Sequence, residues 1–407
     1  MKYVIVLYDG MADLPCGALG GKTPMQLARK PLFDAMGRDA EVGLVRTVPE
    51  GMPPGSDVAN LSVLGYEPRR FYTGRSPLEA VNMGVPLGAD DLSLRCNLVT
   101  LAGGPELEHR SMRNYSAGDI HSDEAAELIA AVEKQLGTTE FSFYPGKAYR
   151  HCLLWRGGRE RQPALGKLTP PHDIAGQPVA AHLPKGEAAR PLLEMMRESI
   201  GILENHPVNA KRRGAQKPPA NAIWLWGEGT RPALPAFEER FGLKGSVISA
   251  VDLLKGIARL AGLRAPEVSG ATGYIDTNFE GKAHRAVEEL QGGQDFAYIH
   301  IEAPDECGHR GEPQNKIRAI ELIDERVLPI LLDYLNSLKD FALLILPDHP
   351  TPLVTMTHSA DPVPYMLYRK RWAGSGRGVA SVTEESAAGT GIFIENGPEL
   401  LRKMVEG

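Results

Sequence analysis

Short apolar runs alternate with longer amphipathic segments near both ends of the chain. Several of these runs continue for five or six positions without a polar residue, which is typical of strands buried on both faces of a sheet. The segments between them place apolar residues at helical spacing. This alternation predicts a mostly parallel sheet between layers of helices. The runs that we interpret as strands are residues 3–7, 42–48, 222–226, 246–250, 296–301 and 341–346.

Two long helices are predicted from local signals. The first runs from Thr23-Pro24 to about Met36, since proline is favoured in the first turn of a helix. The second covers residues 314–338, where apolar residues recur every three or four positions. Both would pack against the predicted sheet through one apolar face.

The middle of the chain has a different pattern. Residues 92–185 contain short apolar runs separated by glycine, proline and charged residues, with one amphipathic helix at 123–136. This pattern predicts a smaller α+β cap domain inserted into the larger α/β domain. The expected division is residues 1–91 and 186–407 for the catalytic domain and 92–185 for the insert, with the second boundary open between 180 and 220.

Composition and charge exclude several classes of protein. The chain has 407 residues, a net charge of −6 and a pI near 6.0, whereas a nucleic-acid-binding surface needs a basic field. No segment reaches the roughly 20 apolar residues that a membrane span requires, and the first apolar run is too short for a signal peptide. The four cysteines form no C-x-x-C pair, which favours reduced thiols and a cytoplasmic location.

Two acidic motifs near the C-terminal end carry the strongest chemical signal. EAPDECGH supplies Asp305 and His309, and LPDHP supplies Asp348 and His349, with His358 nine residues further on. Carboxylate oxygen together with imidazole nitrogen suits Zn, Mn, Fe or Mg better than Ca, which prefers oxygen ligands alone. Any one of these residues by itself is more often a turn former, a helix cap or a loop histidine.

Three of the aspartates follow predicted strands. Asp9, Asp305 and Asp348 each come just after an apolar run. The carboxyl ends of the strands in an open α/β sheet line one crevice, so these side chains are expected to converge there. Their convergence would make a metal site.

Ser56 has two interpretations. It precedes a short predicted helix over residues 57–64, and an ordinary N-cap is the more frequent role for a serine at this position. The alternative is a nucleophile at a helix N-terminus, where free N–H groups favour an anion such as a phosphoryl group. Lys282 and Arg75 also have two interpretations each, since either side chain could be solvated or lie within reach of a phosphate. No P-loop is present, which counts against a conventional ATP-dependent kinase.

Taken together, the motifs resemble the archaeal-type, 2,3-bisphosphoglycerate-independent phosphoglycerate mutases of the alkaline phosphatase superfamily. The resemblance covers nearly the whole chain. It rests on YDGMAD at 8–13, PGSDVANLSVLGY at 54–66, YTGRSPLEA at 72–80, RCNLVT at 95–100, PPHDI at 170–174, AVDLLKGIA at 250–258, GATGYIDTNFEGKA at 270–283, EAPDECGH at 302–309, PDHPTP at 347–352 and THSADPVP at 357–364. One departure is Asn60, where the longer bacterial enzymes carry a histidine.

The resemblance implies a fold, a reaction and a set of roles. The fold would be an alkaline-phosphatase-like core with an inserted cap, and the reaction would interconvert 3-phosphoglycerate and 2-phosphoglycerate through a phosphoserine on Ser56, without 2,3-bisphosphoglycerate. Lys282 would help to hold the phosphoryl group. Two divalent ions (Mn, Mg, Co or Zn) would be bound, one by Asp9, Ser56, Asp348 and His349, the other by Asp305, His309 and His358. Candidates for substrate binding or proton transfer are Arg75, Arg95, Arg150, His151, His172 and Asp173.

Other functions use the same core. A related subgroup has been proposed to phosphorylate homoserine, and this chain resembles it as well, so a homoserine kinase-like phosphotransferase or a phosphatase is the main alternative. A non-catalytic anion-binding protein is disfavoured because all seven proposed metal-site residues are present, and a sulfatase because no C-x-P-x-R or S-x-P-x-R motif lies near Ser56. The expected partner is a small phosphorylated substrate, with no nucleic acid or membrane. The sequence favours neither a monomer nor a homo-oligomer.

Overall fold

The computed structural model describes residues 1–407 as an α/β protein. Its strands are β1 (Lys2–Tyr8), β2 (Glu41–Val45), β3 (Leu92–Gly103), β4 (Arg110–Asn114), β5 (Phe141–Tyr144), β6 (Arg150–Trp155), β7 (Ala222–Thr230), β8 (Gly245–Ile248), β9 (Phe296–Ile301), β10 (Phe341–Leu346), β11 (Val363–Arg369) and β12 (Phe393–Ile394). Its α-helices are α1 (Pro24–Leu27), α2 (Pro31–Gly37), α3 (Ser56–Val63), α4 (Pro68–Phe71), α5 (Ser76–Asn82), α6 (Ser122–Leu136), α7 (Arg190–Leu203), α8 (Pro207–Gly214), α9 (Phe237–Phe241), α10 (Asp252–Leu260), α11 (Phe279–Gln291), α12 (Ala303–His309), α13 (Pro313–Arg326), α14 (Leu328–Ser337), α15 (Glu384–Gly389) and α16 (Pro398–Glu406). No helix combines the length and the apolar character that crossing a membrane would require.

The chain divides into two compact units, but not at the predicted boundaries of 92 and 185. One unit contains Met1–Tyr72 and Ala233–Gly407, and the other contains Thr73–Pro232. The insert is larger than expected because β7 pairs antiparallel with β3, from Leu92↔Thr230 to Val99↔Ala222. Helix α7 packs on β7, and α5 packs on β3 and β7, so the segments on both sides of 92–185 belong to the insert. The apolar run at 222–226 is thus a strand, as predicted, but it lies in the other sheet.

A seven-stranded mixed sheet forms the centre of the first unit. Its order is β12-β2-β11-β10-β1-β9-β8. Four of the six strand pairs are parallel, and β11 pairs antiparallel with both of its neighbours. Every residue of β9 and β10 is buried, as expected for strands covered by helices on both faces. The predicted mixed, mostly parallel α/β core is therefore confirmed.

The two long helices predicted in this unit are each interrupted. The first is broken into α1 and α2, because Pro31 lacks an N–H and restrains the preceding Lys30 to a non-helical conformation. The second ends at Arg326 and restarts as α14, whose first turn contains Pro329. Proline fits the first turn of a helix but not its interior, so both positions are helix starts.

The inserted unit contains an antiparallel sheet. Its strands follow the order β4-β3-β6-β5, and β7 also pairs with β3. The helix predicted at 123–136 is present as α6, and its apolar face joins α7 in a core that includes Leu128, Met196 and Trp224. This unit is α+β, as the pattern of short runs predicted.

Candidate active site

The register of the central strands brings three acidic loops to one edge of the sheet. Leu7 of β1 pairs with Leu346 on β10 and with His300 on β9, so the three neighbouring strands end at the same level. Asp9 follows β1, Asp348 follows β10, and α12 with Asp305 follows β9. The three aspartates converge as expected. Each belongs to a group of possible metal-ligand atoms that all lie within 4.8 Å of one another.

Gly10 makes this close approach possible. Its φ of +62° is strained for residues with a side chain, and a Cβ atom would lie 2.6 Å from Asp305 Oδ1 and Thr351 Oγ1. Its amide donates a hydrogen bond to Asp348 Oδ1 at 3.2 Å. A larger residue would push the loop after β1 away from the other two.

One cluster consists of Asp305, His309 and His358. Asp305 and His309 lie one turn apart on α12, with His309 Nε2 3.3 Å from Asp305 Oδ2, and His358 Nε2 lies 3.5 Å from Asp305 Oδ1. The Nδ1 atom of His309 is 3.0 Å from the carbonyl oxygen of Met356, to which it can donate. That hydrogen bond directs Nε2 toward the other two members of the cluster, 2.8 Å from His358 Nε2, which is the usual orientation of a metal-binding histidine.

The second group surrounds Asp9. His349 Nε2 lies 3.5 Å from Asp9 Oδ1 and 3.3 Å from Asp348 Oδ2. Burial, followed by repulsion from Asp348 and Asp305, raises the pKa of Asp9 well above its ordinary value. Asp9 Oδ1 is buried and has no hydrogen-bond partner. Crowded carboxylates with an unsatisfied oxygen are stabilised by a cation, so this donor set fits a divalent metal.

These clusters can be compared with the metal ligands implied by the resemblance. Asp305, His309 and His358 form one of the three groups of possible ligands. The other two are Asp9 with Asp305 and His349, and Asp9 with His300 and Asp348. One group therefore joins Asp9 and His349, expected at one site, with Asp305, expected at the other, and His300 is an additional candidate.

Ser56 does not act as the N-cap that its sequence position favoured. Helix α3 begins at Ser56 itself, Gly55 occupies the N-cap position, and the first-turn amide of Val58 donates to Asp57 Oδ1 rather than to Ser56. The Ser56 hydroxyl instead lies 3.1 Å from His349 Nε2. The free N–H groups at the start of α3 are thus beside a hydroxyl that faces the Asp-His cluster, as the nucleophile interpretation requires.

Lys282 lies near the same cluster in a fully buried position on α11. Its Nζ donates to the carbonyl oxygen of His300 at 3.3 Å. Burial lowers the pKa of Lys282 to about 8, although Glu302 and Asp9 partly oppose this shift. An ammonium group that has lost most of its hydration can interact strongly with a phosphoryl oxygen.

Several buried polar residues around the site were not predicted from the sequence. His300 Nε2 lies 2.7 Å from Asp9 Oδ2, and its Nδ1 lies 3.2 Å from the Ser249 hydroxyl. The Thr351 hydroxyl donates to Asp305 Oδ1. The one available signal was the presence of Tyr298 and His300, two positions apart, in an otherwise apolar strand. Polar residues on the same side of a buried strand must find polar partners.

The predicted substrate-binding residues lie in the inserted unit, where three of them share a set of contacts. Arg95 is an ion-pair partner of Glu79 at 2.9 Å, and Arg75 pairs with the same carboxylate at 3.1 Å. Burial alone would raise the pKa of Glu79, but Arg95 and Arg75 outweigh it and hold the pKa below its ordinary value. The Arg95 guanidinium stacks on Trp226, with 4.4 Å to the ring centroid, and His172 packs against the same ring at 5.3 Å.

The other three candidates differ in exposure. Arg150 has an exposed side chain over the ring of Tyr149, and Asp173 is exposed with Oδ1 3.6 Å from His172. His151 is buried, its Nδ1 accepts from the amide of Gly146 at 3.0 Å, and burial lowers its pKa to about 3. Its Nε2 is buried and has no hydrogen-bond partner, and its role in substrate binding or proton transfer stays a prediction.

Comparison with known proteins assigns the chain to a family. Residues 37–209 match the family described as 2,3-bisphosphoglycerate-independent phosphoglycerate mutase. Over the full length of both chains, the sequence is 50% identical to a probable 2,3-bisphosphoglycerate-independent phosphoglycerate mutase of Geobacter sulfurreducens. It is 49% identical, again over both whole chains, to the enzyme so named in Methanothrix thermoacetophila. The chain belongs to the 2,3-bisphosphoglycerate-independent phosphoglycerate mutase family.

A solved structure agrees with this assignment. The cofactor-independent phosphoglycerate mutase from Thermoplasma acidophilum is 26% identical and matches with a TM-score of 0.63, covering 100% of both chains. The resemblance drawn from the sequence motifs is therefore confirmed at the level of family and fold. Membership of a mutase family makes Ser56 and the two neighbouring Asp-His clusters candidates for the catalytic groups.

Proposed function

We propose that this protein interconverts 3-phosphoglycerate and 2-phosphoglycerate, with Ser56 as the nucleophile. The observation that carries the proposal is the position of the Ser56 hydroxyl, at the N-terminus of α3 and 3.1 Å from His349 Nε2. Whole-length relatives that are 45–50% identical and carry the name of this activity support the same reaction.

The reaction would proceed in two transfers. Ser56 Oγ loses its proton and attacks the phosphorus atom, the bond from phosphorus to the substrate oxygen breaks, and that oxygen takes up a proton, so that glycerate and phosphoserine result. The other hydroxyl of glycerate then attacks the same phosphorus atom and releases Ser56. The N–H groups at the start of α3 and the Lys282 ammonium would offset the negative charge of the phosphoryl oxygens.

The Asp-His clusters would hold divalent metal. Asp305, His309 and His358 are proposed as ligands of one ion, and Asp9, Ser56, Asp348 and His349 as ligands of the other. When bound, such ions activate a hydroxyl nucleophile and offset charge on the attacking and leaving oxygens. Mn, Mg, Co and Zn all accept this combination of oxygen and nitrogen donors.

The basic cluster of the inserted unit is proposed to bind the substrate's anionic groups. Arg75 and Arg95 both pair with Glu79, and the charge of Arg150 acts on the same carboxylate, so several guanidinium groups lie close together. Arginine presents planar, bidentate donors that match carboxylate and phosphate.

The four cysteines are all free and buried, which supports a reducing, cytoplasmic location.

A coupled assay tests the reaction. Purified protein with Mn²⁺ should convert 3-phosphoglycerate to 2-phosphoglycerate, followed through enolase, without added 2,3-bisphosphoglycerate. The homoserine kinase alternative predicts ATP-dependent formation of homoserine phosphate instead. Homoserine phosphate without enolase-coupled turnover would refute the mutase proposal.

The pKa of Lys282 predicts the alkaline limb of the pH profile. Below about pH 8 the side chain carries a proton and can offset phosphoryl charge, and above this pH it becomes neutral. We expect kcat/KM to fall on the alkaline side with an apparent pKa of about 8, since this parameter reports the free enzyme. Lys282→Arg should move the fall to higher pH, because a guanidinium stays protonated.

Lys30 provides a matched control for this profile. It is a buried lysine whose Nζ is 2.9 Å from Asp34 Oδ1. Lys30→Arg should leave the alkaline limb where it is. If Lys282→Arg also leaves it unchanged, the limb belongs to another group and the proposed role of Lys282 is wrong.

A further inference from the structure

Asn60 connects the proposed nucleophile with a proposed metal ligand. It lies one turn after Ser56 on α3 and is fully buried. Its Nδ2 donates to the carbonyl oxygen of Ser56 and to Asp348 Oδ2, both at 2.8 Å. Its Oδ1 accepts a hydrogen bond from the hydroxyl of Tyr298 on β9. One amide group therefore contacts the first turn of α3, the loop after β10 and a central strand.

The direction of the Asn60 amide is determined by its partners. The two atoms beside Nδ2 are a carbonyl oxygen and a carboxylate oxygen, and both can only accept. The Tyr298 hydroxyl is therefore the donor to Oδ1, and burial raises the pKa of Tyr298 well above its ordinary value, so the proton stays in place. If the Tyr298 hydroxyl were removed, Oδ1 would be a buried acceptor without a partner.

Asn60 is the closest donor to one of the two oxygens of Asp348. Asp348 Oδ1 accepts from the amides of Gly10 at 3.2 Å and His349 at 2.9 Å. Asp348 Oδ2 accepts from Asn60 at 2.8 Å and lies 3.3 Å from His349 Nε2, which is itself a proposed metal ligand. Asn60 is therefore the donor from outside the proposed ligand set that orients this oxygen.

We propose that Asn60 and Tyr298 are a positioning pair that holds Asp348 and the first turn of α3 in the geometry needed for phosphoryl transfer. Neither residue contacts substrate in this scheme, and the inference rests on the proposed function. A shift of about 1 Å in a reacting group can lower a rate by about 100-fold, and loss of an outer-layer partner of a metal ligand typically costs 10–100-fold in metal affinity or activity.

The test uses Asn60→Ala and Tyr298→Phe in the full-length protein. Mn²⁺ affinity of the metal-free protein is measured by isothermal titration calorimetry, and kcat and KM for 3-phosphoglycerate are measured separately. Asn60→Ala should weaken Mn²⁺ binding and lower kcat by about 10–100-fold each, with KM little changed. Tyr298→Phe should shift both quantities in the same direction by a smaller factor, since Asn60 remains but loses the partner that orients it.

Tyr365→Phe is the matched control. Tyr365 is a fully buried tyrosine on β11 of the same sheet, and its hydroxyl donates to Glu41 Oε1 at 2.7 Å. This change should lower thermal stability by an amount similar to that of Tyr298→Phe. It should leave Mn²⁺ affinity and kcat unaltered, which separates positioning from a general loss of packing.

Asp348→Ala distinguishes failure of this inference from failure of the proposed function. If Asp348→Ala keeps wild-type Mn²⁺ affinity, the proposed ligand set is wrong. If Asp348→Ala loses Mn²⁺ binding while a folded Asn60→Ala retains wild-type affinity and kcat, the positioning pair is refuted. If Asn60→Ala does not fold, Tyr298→Phe decides, and wild-type values for both quantities in that variant overturn the proposal.

Discussion

Ser56→Ala should reduce kcat for phosphoglycerate interconversion by at least about 10⁴-fold, because in the proposed mechanism this hydroxyl carries the phosphoryl group between the two transfers. The serine lies at the start of α3 with its hydroxyl directed at His349 rather than at the helix backbone. Removal of Oγ therefore costs no helix cap, and the fold should be retained. The enolase-coupled assay measures the loss, and mass spectrometry of the quenched wild-type enzyme should find one phosphoryl group on Ser56.

Ser62 on the same helix is the control. It is fully buried, and its Oγ has no hydrogen-bond partner. Ser62→Ala should therefore keep both the fold and the turnover. Turnover retained in Ser56→Ala, or a phosphoryl group found on another residue, would show that the nucleophile has been misassigned.

Lys316→Met should destabilise the protein by about 3–5 kcal/mol, the usual cost of leaving one member of a buried ion pair without its partner. Lys316 on α13 and Asp13 are both fully buried side chains, with Nζ 2.7 Å from Oδ2. Nζ also donates to the carbonyl oxygen of Thr351 at 2.8 Å. The variant loses three things at once: the charge opposite Asp13, a loop contact and part of the support of the site. Urea denaturation followed by circular dichroism measures the change.

Lys30→Met is the comparison for this prediction. Lys30 is also a buried lysine and pairs with Asp34 at 2.9 Å, but the Asp34 side chain remains about a quarter exposed. Water can compensate the remaining charge there, so the loss should be clearly smaller. Adding Asp13→Asn to Lys316→Met should restore part of the stability, because the uncompensated charge is removed. Equal losses in the two lysine variants would contradict the assigned role of the buried pair.

The parts of the fold that were predicted correctly are those whose sequence signal lies in contiguous residues. An apolar run such as residues 341–346 reports burial by itself, and the aspartate after it reports where the chain leaves the sheet. Strands β1, β9 and β10 and the acidic loops that follow them could be found this way. Apolar periodicity alone misses the interrupted helices, since it continues over 314–338 through the break, whereas Pro31 and Pro329 mark both helix starts locally.

No local sequence signal marks the boundary of the inserted unit. The run at 222–226 has the composition of a buried strand in either sheet, and only its pairing with β3, more than a hundred residues earlier, assigns it to the insert. The same limitation applies to Ser56. A serine before a short helix has one sequence pattern whether it caps the helix or faces a histidine 293 positions away.

The sequence by itself determined the α/β class, the acidic strand ends, the type of ligand atoms and, through its motifs, the family. Tertiary structure decided which residues share a cluster, because hydrogen bonds and charges act over a few ångströms of space, whatever their separation along the chain. Tyr298, His300 and Lys316 look like isolated polar residues in apolar or helical segments until their partners Asn60, Asp9 and Asp13 are brought beside them. Burial then makes each of these contacts obligatory, since a polar group removed from water must be paired within the protein.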